Sequence, residues 1–313
     1  MNPGSPAGQK RGLVFPGQGS QGIGMLADCA DHPALLRVFD VVSSCCGSDL
    51  RKLALEGPAP VLGETTVTQP LMLAADIAFY EIYRASGGAP PEVLAGHSLG
   101  EYPALYAAGV LDLARLADLV KTRARLMQEA VPSGQGAMAA ILGLAEGPLV
   151  ALCAGITSGT VEAVNFNCPG QIVVAGTKPA VEALIEQARA AGAKRAILLP
   201  VSVPAHSSLM RDPAREFEAV LAGMDFRPPR IPVIHNADLE THSDAPGIRR
   251  ALAAQLYRPV RWGDTIAAFR DRYGVVEILE CGPGRVLSGL GRRCLPELRH
   301  EALENLDAMK QYA

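Results

Sequence analysis

Apolar and polar positions along the chain follow two rhythms. Short, nearly continuous apolar runs at 12–15, 92–95, 231–235 and 275–280 read as buried strands. Longer stretches repeat their apolar residues every three or four positions and read as helices: 33–46, 50–56, 69–86, 112–131, 208–221, 247–257, 259–273 and 286–294. Gly57-Pro58 and Gly87-Gly88 close two of them, and Pro70 sits where the first turn of the third would tolerate it. In 69–86, Leu73, Ile77 and Tyr80 share one face. In 112–131, Leu113, Leu116, Ala117, Val120, Ala124 and Met127 mark the apolar face, and Arg123 falls in the row Leu116, Val120, Arg123, Met127. An arginine there either buries its stem at the stripe's edge or points into a pocket, where its fork would grip a carboxylate through two hydrogen bonds. The final stretch, 297–313, reads as a loosely packed tail.

The middle of the chain has a different order. Strands are expected at 137–142, 160–165, 171–175 and 195–199, with helices at 146–154 and 179–192. That is βαββαβ, the split βαβ or ferredoxin-like pattern. Asn167-Cys168-Pro169-Gly170 supplies the turn between the middle strands. The expected organisation is therefore a large α/β domain, residues 1–130 and 205–313, interrupted by a ferredoxin-like small domain at 131–204.

Composition narrows the class. At 313 residues, 49% hydrophobic and 19% charged, the chain can bury a large core. A formal charge of −3 argues against nucleic acid as a partner. The seven cysteines include no Cys-x-x-Cys pair, and Cys45 and Cys46 are adjacent, which fits a reduced, cytoplasmic setting. Residues 1–9 carry no signal-type apolar run, and no stretch reaches the roughly 18 residues of a membrane span.

Two loops at strand ends carry candidate chemistry. Pro16-Gly17-Gln18-Gly19-Ser20-Gln21-Gly22 follows the first strand but lacks the Gly-Lys-Ser/Thr ending of a nucleotide loop. Its small residues suit close approach to another loop or to a substrate. Gly96-His97-Ser98-Leu99-Gly100 lies between a strand and an expected helix at 99–109. Gly-x-Ser-x-Gly in that setting is the nucleophile-elbow pattern, in which a sharp turn exposes a serine hydroxyl beside helix N-terminal amides. A serine nucleophile needs a general base. Of the six histidines, His206 stands just before a helical run and has the most suitable setting. His97 adjoins the serine, and its side chain should point elsewhere. His32 falls in a surface loop, His235 has a position from which it could approach the site, and His242 and His300 have no comparable setting. No third acid stands out.

These stretches in this order resemble the malonyl-CoA:acyl carrier protein transacylases of fatty acid synthesis and the related polyketide acyltransferase domains, over about residues 11–293. The matching stretches are Phe15 to Gln21, Gly96 to Tyr102, Arg123 to Gln128, Asn165-Phe166-Asn167 with Pro169-Gly170-Gln171, Val203 to His206, Gln255-Leu256-Tyr257 with Pro259-Val260 and Trp262, and Gly282-Pro283-Gly284. The resemblance implies an α/β-hydrolase-like large domain with a parallel-sheet core plus the inserted small domain. It implies Ser98 as nucleophile and His206 as base. It gives the oxyanion hole to the backbone amides of Gln18 and Leu99, and makes the Gln255 carbonyl the histidine's orienting group. Arg123 would bind the malonyl carboxylate, with Met127, Asn165 and His97 around the substrate. The implied partners are malonyl-CoA and holo acyl carrier protein, with no cofactor and no metal, in a free-standing monomer. Because such carriers are acidic, Lys194, Arg195, Arg211, Arg215, Arg285, Arg292 and Arg293 are candidates for a basic rim. Alternatives on the same scaffold are a trans-acting polyketide acyltransferase, an acyl hydrolase, a malonate-decarboxylase transacylase subunit and a silent carrier-binding subunit.

Overall fold

A computed structural model describes residues 10–132, 134–201 and 203–312. The segment 1–9, Ser133, Ser202 and Ala313 lie outside the described residues, so the reading of the first nine residues is not addressed by it.

Strand β1 (Arg11–Phe15) is followed by helices α1 (Pro33–Cys46), α2 (Leu50–Glu56), α3 (Ala59–Leu62) and α4 (Thr65–Ala85). Strand β2 (Val93–Gly96) leads through a short 3-10 turn into α5 (Glu101–Ala107) and then α6 (Leu113–Glu129). The middle of the chain forms β3 (Gly136–Leu142), α7 (Glu146–Gly155), β4 (Val161–Cys168), β5 (Gln171–Thr177), α8 (Lys178–Ala190) and β6 (Arg195–Leu198). The chain then runs through α9 (Arg211–Ala222), β7 (Val233–Ile234), α10 (Ala245–Gln255), α11 (Trp262–Tyr273), β8 (Glu277–Glu280), α12 (Val286–Cys294), β9 (Arg299–Ala302) and α13 (Leu306–Gln311).

Five strands make one parallel sheet in the order β7-β2-β1-β8-β9. Helices cover both of its faces, which is why its strands read as continuous apolar runs. Side chains alternate across it. Leu13, Phe15, Leu94 and Leu279 pack with α1, α4 and α6, whereas Val14, Val93, Ala95 and Ile278 pack with α11 and α12. The other four strands form an antiparallel sheet in the order β4-β5-β3-β6. Helices α7 and α8 cover one face of it. The opposite face presents Met138, Val164, Val173 and Ala175 toward Leu199, Val201 and Ala205. The fold is thus α/β, with a parallel core and a separate ferredoxin-like layer, and residues 131 and 204 fall in the two connections flanking that layer. Strand β4 is tied back to the large sheet's side by Phe166 N donating to Val260 O and Val260 N to Val164 O, both at 2.8 Å. Glu162 on β4 also accepts from Ser208 N at 2.8 Å, just after His206.

The structure corrects several expectations. The third helix begins at Thr65, not 69, so Pro70 lies inside α4 instead of in its first turn. Sixteen of that helix's residues, Pro70 among them, are buried. Burial on this scale outweighs the one hydrogen bond that a proline removes near a helix start. The run after Ser98 is a 3-10 turn before α5, and the run after Ser207 likewise opens as a 3-10 turn. The C-terminal stretch is no loose tail. β9 pairs in parallel with β8, and Leu303 and Met309 are fully buried.

Candidate active site

The serine turn follows from two contacts that exclude a side chain. A Cβ on Gly96 would fall 1.9 Å from the Gly100 carbonyl, and one on Gly100 would fall 2.0 Å from Phe15 O. With glycine at both places, β2 turns sharply into the 3-10 turn that opens α5, and Ser98 takes φ +53°. A non-glycine residue holds that conformation only when its surroundings impose it. Here Asn236 imposes it: its Oδ1 accepts from Ser98 N at 2.7 Å, and its Nδ2 donates to Gly96 O at 2.8 Å.

His206 has the same backbone conformation, φ +64°. Its backbone amide donates to Leu256 O at 2.9 Å, and its Nδ1 lies 2.7 Å from Gln255 O. A carbonyl at Nδ1 fixes the proton there, leaving Nε2 as acceptor. Nε2 is 2.7 Å from Ser98 Oγ. Burial first, and the nearby Arg123 charge second, push the imidazole's pKa down from 6.5 to about 3, so the ring is neutral near pH 7.

Opposite the elbow, Gly17 packs against it so closely that a Cβ there would sit 2.4 Å from His97 O and 3.7 Å from Leu99 N. That approach packs the loop carrying Gln18 against the elbow, and neither the Gln18 nor the Leu99 amide has a hydrogen-bond partner among the described residues. The Ser98 amide is occupied by Asn236 and is not available as a third donor.

Arg123, on α6, is 1% exposed. It donates to Gln69 Oε1 at 2.6 Å, to Gln255 Oε1 at 3.0 Å and to Ser98 Oγ at 3.3 Å. The guanidinium thus stands in the pocket and not at the edge of the stripe. Met127, one turn further along α6, lies 3.6 Å through its Sδ from Gln69 Nε2. The half-buried His97 turns away from the serine, with its Nε2 2.9 Å from Asn167 Oδ1 and its ring 5.4 Å from that of Trp262. Asn165 Oδ1 is buried with no hydrogen-bond partner among the described residues. A cavity of about 850 Å³ joins these groups, and Gln18, Leu99, Met127, Met138 and Asn165 are among its lining.

Sequence reasoning missed the polar group beneath the elbow. Glu101 is fully buried and accepts from His235 Nδ1 at 2.7 Å, Asn236 N at 2.9 Å and Gln255 Nε2 at 2.7 Å. Gln255 Nε2 also donates to Ser98 O at 3.0 Å. Glu101 stood inside the quoted motif without a role, and nothing local marked Gln69 or Asn236. Among the basic rim candidates, Arg215, Arg285 and Arg292 pair with Asp212, Glu304 and Glu301. No group of three or more His, Cys, Asp or Glu side chains among the described residues is placed to hold a metal ion.

A serine on a strained elbow, its hydroxyl 2.7 Å from a neutral imidazole, has the geometry for acyl chemistry through a covalent ester. The chain belongs to the acyl transferase domain family, which it matches over residues 13–280. It is 46% identical over 299 residues to the malonyl CoA-acyl carrier protein transacylase of Escherichia coli K12, covering 95% of this chain and 96% of that one. The solved transacylase of the same name from Coxiella burnetii superposes with a TM-score of 0.93 at 41% identity, covering 96% of each chain. A malonyl-transacylase solved in complex with a type II PKS acyl-carrier protein superposes with a TM-score of 0.94 at 44% identity, covering 97% of this chain and 99% of that one.

Proposed function

We propose that this chain transfers a malonyl group from malonyl-CoA to the phosphopantetheine thiol of an acyl carrier protein, supplying fatty acid synthesis. The observation that carries this reading is a buried guanidinium, unpaired with any carboxylate among the described residues, 3.3 Å from the serine oxygen that the histidine faces. In the first half-reaction the malonyl carboxylate binds Arg123. Ser98 Oγ attacks the thioester carbon as its proton passes to His206 Nε2. The amides of Gln18 and Leu99 hold the oxyanion. The C–S bond then breaks and CoA leaves with the proton from His206. The second half-reaction runs the same steps in reverse with the carrier thiol as nucleophile, which gives ping-pong kinetics. Met127, Asn165 and His97 line the acyl site, and Gln255 orients the base. The protein acts as a cytoplasmic monomer that needs no cofactor or metal and does not bind nucleic acid.

The test is intact mass after mixing with malonyl-CoA, before and after adding holo carrier protein. A malonyl adduct is expected that is absent in Ser98→Ala and moves to the carrier. Loss of the adduct to water at the same rate without carrier would make the protein a hydrolase. Arg123→Ala should depress malonyl loading at least about a hundredfold while affecting acetyl loading far less, because only the malonyl carboxylate needs the charge.

A further inference from the structure

Arg123 is a buried cation whose partners are all neutral. Its hydrogen bonds go to two amide oxygens and a hydroxyl, and the Tyr102 ring lies 5.3 Å from its guanidinium carbon. A carboxylate is close at hand, yet it is kept apart. Glu101 Oε2 accepts from Gln255 Nε2 at 2.7 Å, and the other end of that amide, Oε1, accepts from Arg123 at 3.0 Å. One amide therefore stands between the anion and the cation. Glu101 is satisfied by His235 and Asn236 from its other sides.

We propose that the side-chain amides of Gln69 and Gln255 set the charge selectivity of the site, by holding Arg123 in place without neutralising it. The proposal rests on the reading of Arg123 as the malonyl carboxylate's partner. A protein carboxylate on this guanidinium would form a strong charge-assisted pair that a substrate carboxylate would have to displace. Amide oxygens fix the fork's direction and leave its charge uncompensated, so the pocket favours an acyl group that brings an anion. A neutral acyl group leaves the charge unpaired. Gln69 and Gln255 are positioning residues, acting through Arg123.

Gln69 gives the cleaner test. Its Oε1 is 2.6 Å from Arg123, while its Nε2 has, among the described residues, only the contact to Met127 Sδ at 3.6 Å. Gln69→Glu thus adds a charge at nearly constant shape. Single-turnover loading of Ser98 by malonyl-CoA and by acetyl-CoA would be followed by intact mass. In Gln69→Glu the malonyl-to-acetyl rate ratio should fall at least about tenfold. In Gln69→Ala, which removes one holder without adding a charge and leaves Gln255 in place, the ratio should fall clearly less than in Gln69→Glu. Gln69→Asp, which brings a carboxylate to the same guanidinium on a shorter side chain, is expected to lower the ratio too, and it serves if Gln69→Glu does not fold. A folded acidic variant at position 69 whose two rates fall equally, or whose ratio is unchanged, overturns the proposal. Failure of the parent protein to form a malonyl ester on Ser98 would instead remove the functional reading beneath it.

Discussion

At the scale of single residues, the site depends on one imidazole staying neutral while close to a guanidinium. Burial and the Arg123 charge act in the same direction on His206 and lower its pKa to about 3. The folded protein therefore refuses a proton that the unfolded chain takes up below pH 6.5. This contribution to stability is full above pH 6.5 and is lost as the pH falls toward 3. The same shift protects the chemistry. A histidine left at 6.5 would lose its basic form roughly twenty-five-fold between neutral pH and pH 5. Single-turnover loading of Ser98 by malonyl-CoA should show no such loss over pH 5 to 7. A rate limb with a midpoint near 6.5 would mean that the histidine is solvated in the working enzyme. His206 and Ser98 were legible in the sequence because each lies in a local pattern. Gln69 and Asn236 were not, since their roles arise from contacts with residues 54 and 138 positions away.

At the scale of elements, the elbow joins β2 to α5, and glycine is required there by contact more than by torsion. Gly96 has no positive φ, but its missing Cβ is what lets the Gly100 carbonyl pass 1.9 Å from the ideal Cβ position. Gly96→Ala should cost about 3 kcal/mol or more, read by urea unfolding, and should displace Ser98 from His206. Gly147, on the exposed side of α7, has nothing within 4 Å of its ideal Cβ and serves as the opposite case. Gly147→Ala should stabilise the protein by up to about 1 kcal/mol. Glycine count alone would not separate the two, but motif context does, and this is why the elbow could be read from sequence. The start of α4 could not. A proline marks a place where a helix tolerates a missing N–H, and here Thr65 to Gln69 continue the helix upstream of it because α4 is buried on nearly all sides.

At the scale of the whole molecule, two sheets with separate cores meet over the cavity, and the larger one closes with the chain's last residues. The hydrophobic rhythm disclosed four of that sheet's five strands and all four of the smaller one. It hid the fifth strand, β9, because Arg299, His300 and Glu301 interrupt the apolar pattern and the buried leucines, Leu298 and Leu303, lie just outside it. Its order comes from backbone pairing with β8 and from Leu303, whose amide donates to Glu280 O at 2.8 Å. An edge strand of this kind is defined by its neighbour more than by its own composition. The consequence can be measured. Were 297–313 a loose tail, Leu303→Ala would change stability by less than about 0.5 kcal/mol. As a fully buried leucine in the main core, it should cost about 2–5 kcal/mol in urea unfolding. The support it gives reaches the site indirectly. β8 runs into the Gly282 turn, where a Cβ would sit 2.7 Å from Pro16, and Pro16 leads the loop that carries the Gln18 amide. Leu303→Ala should therefore also lower the temperature at which malonyl loading is lost, in step with the unfolding midpoint. Loading that outlasted the unfolding of the variant would separate the C-terminal strand from the oxyanion loop.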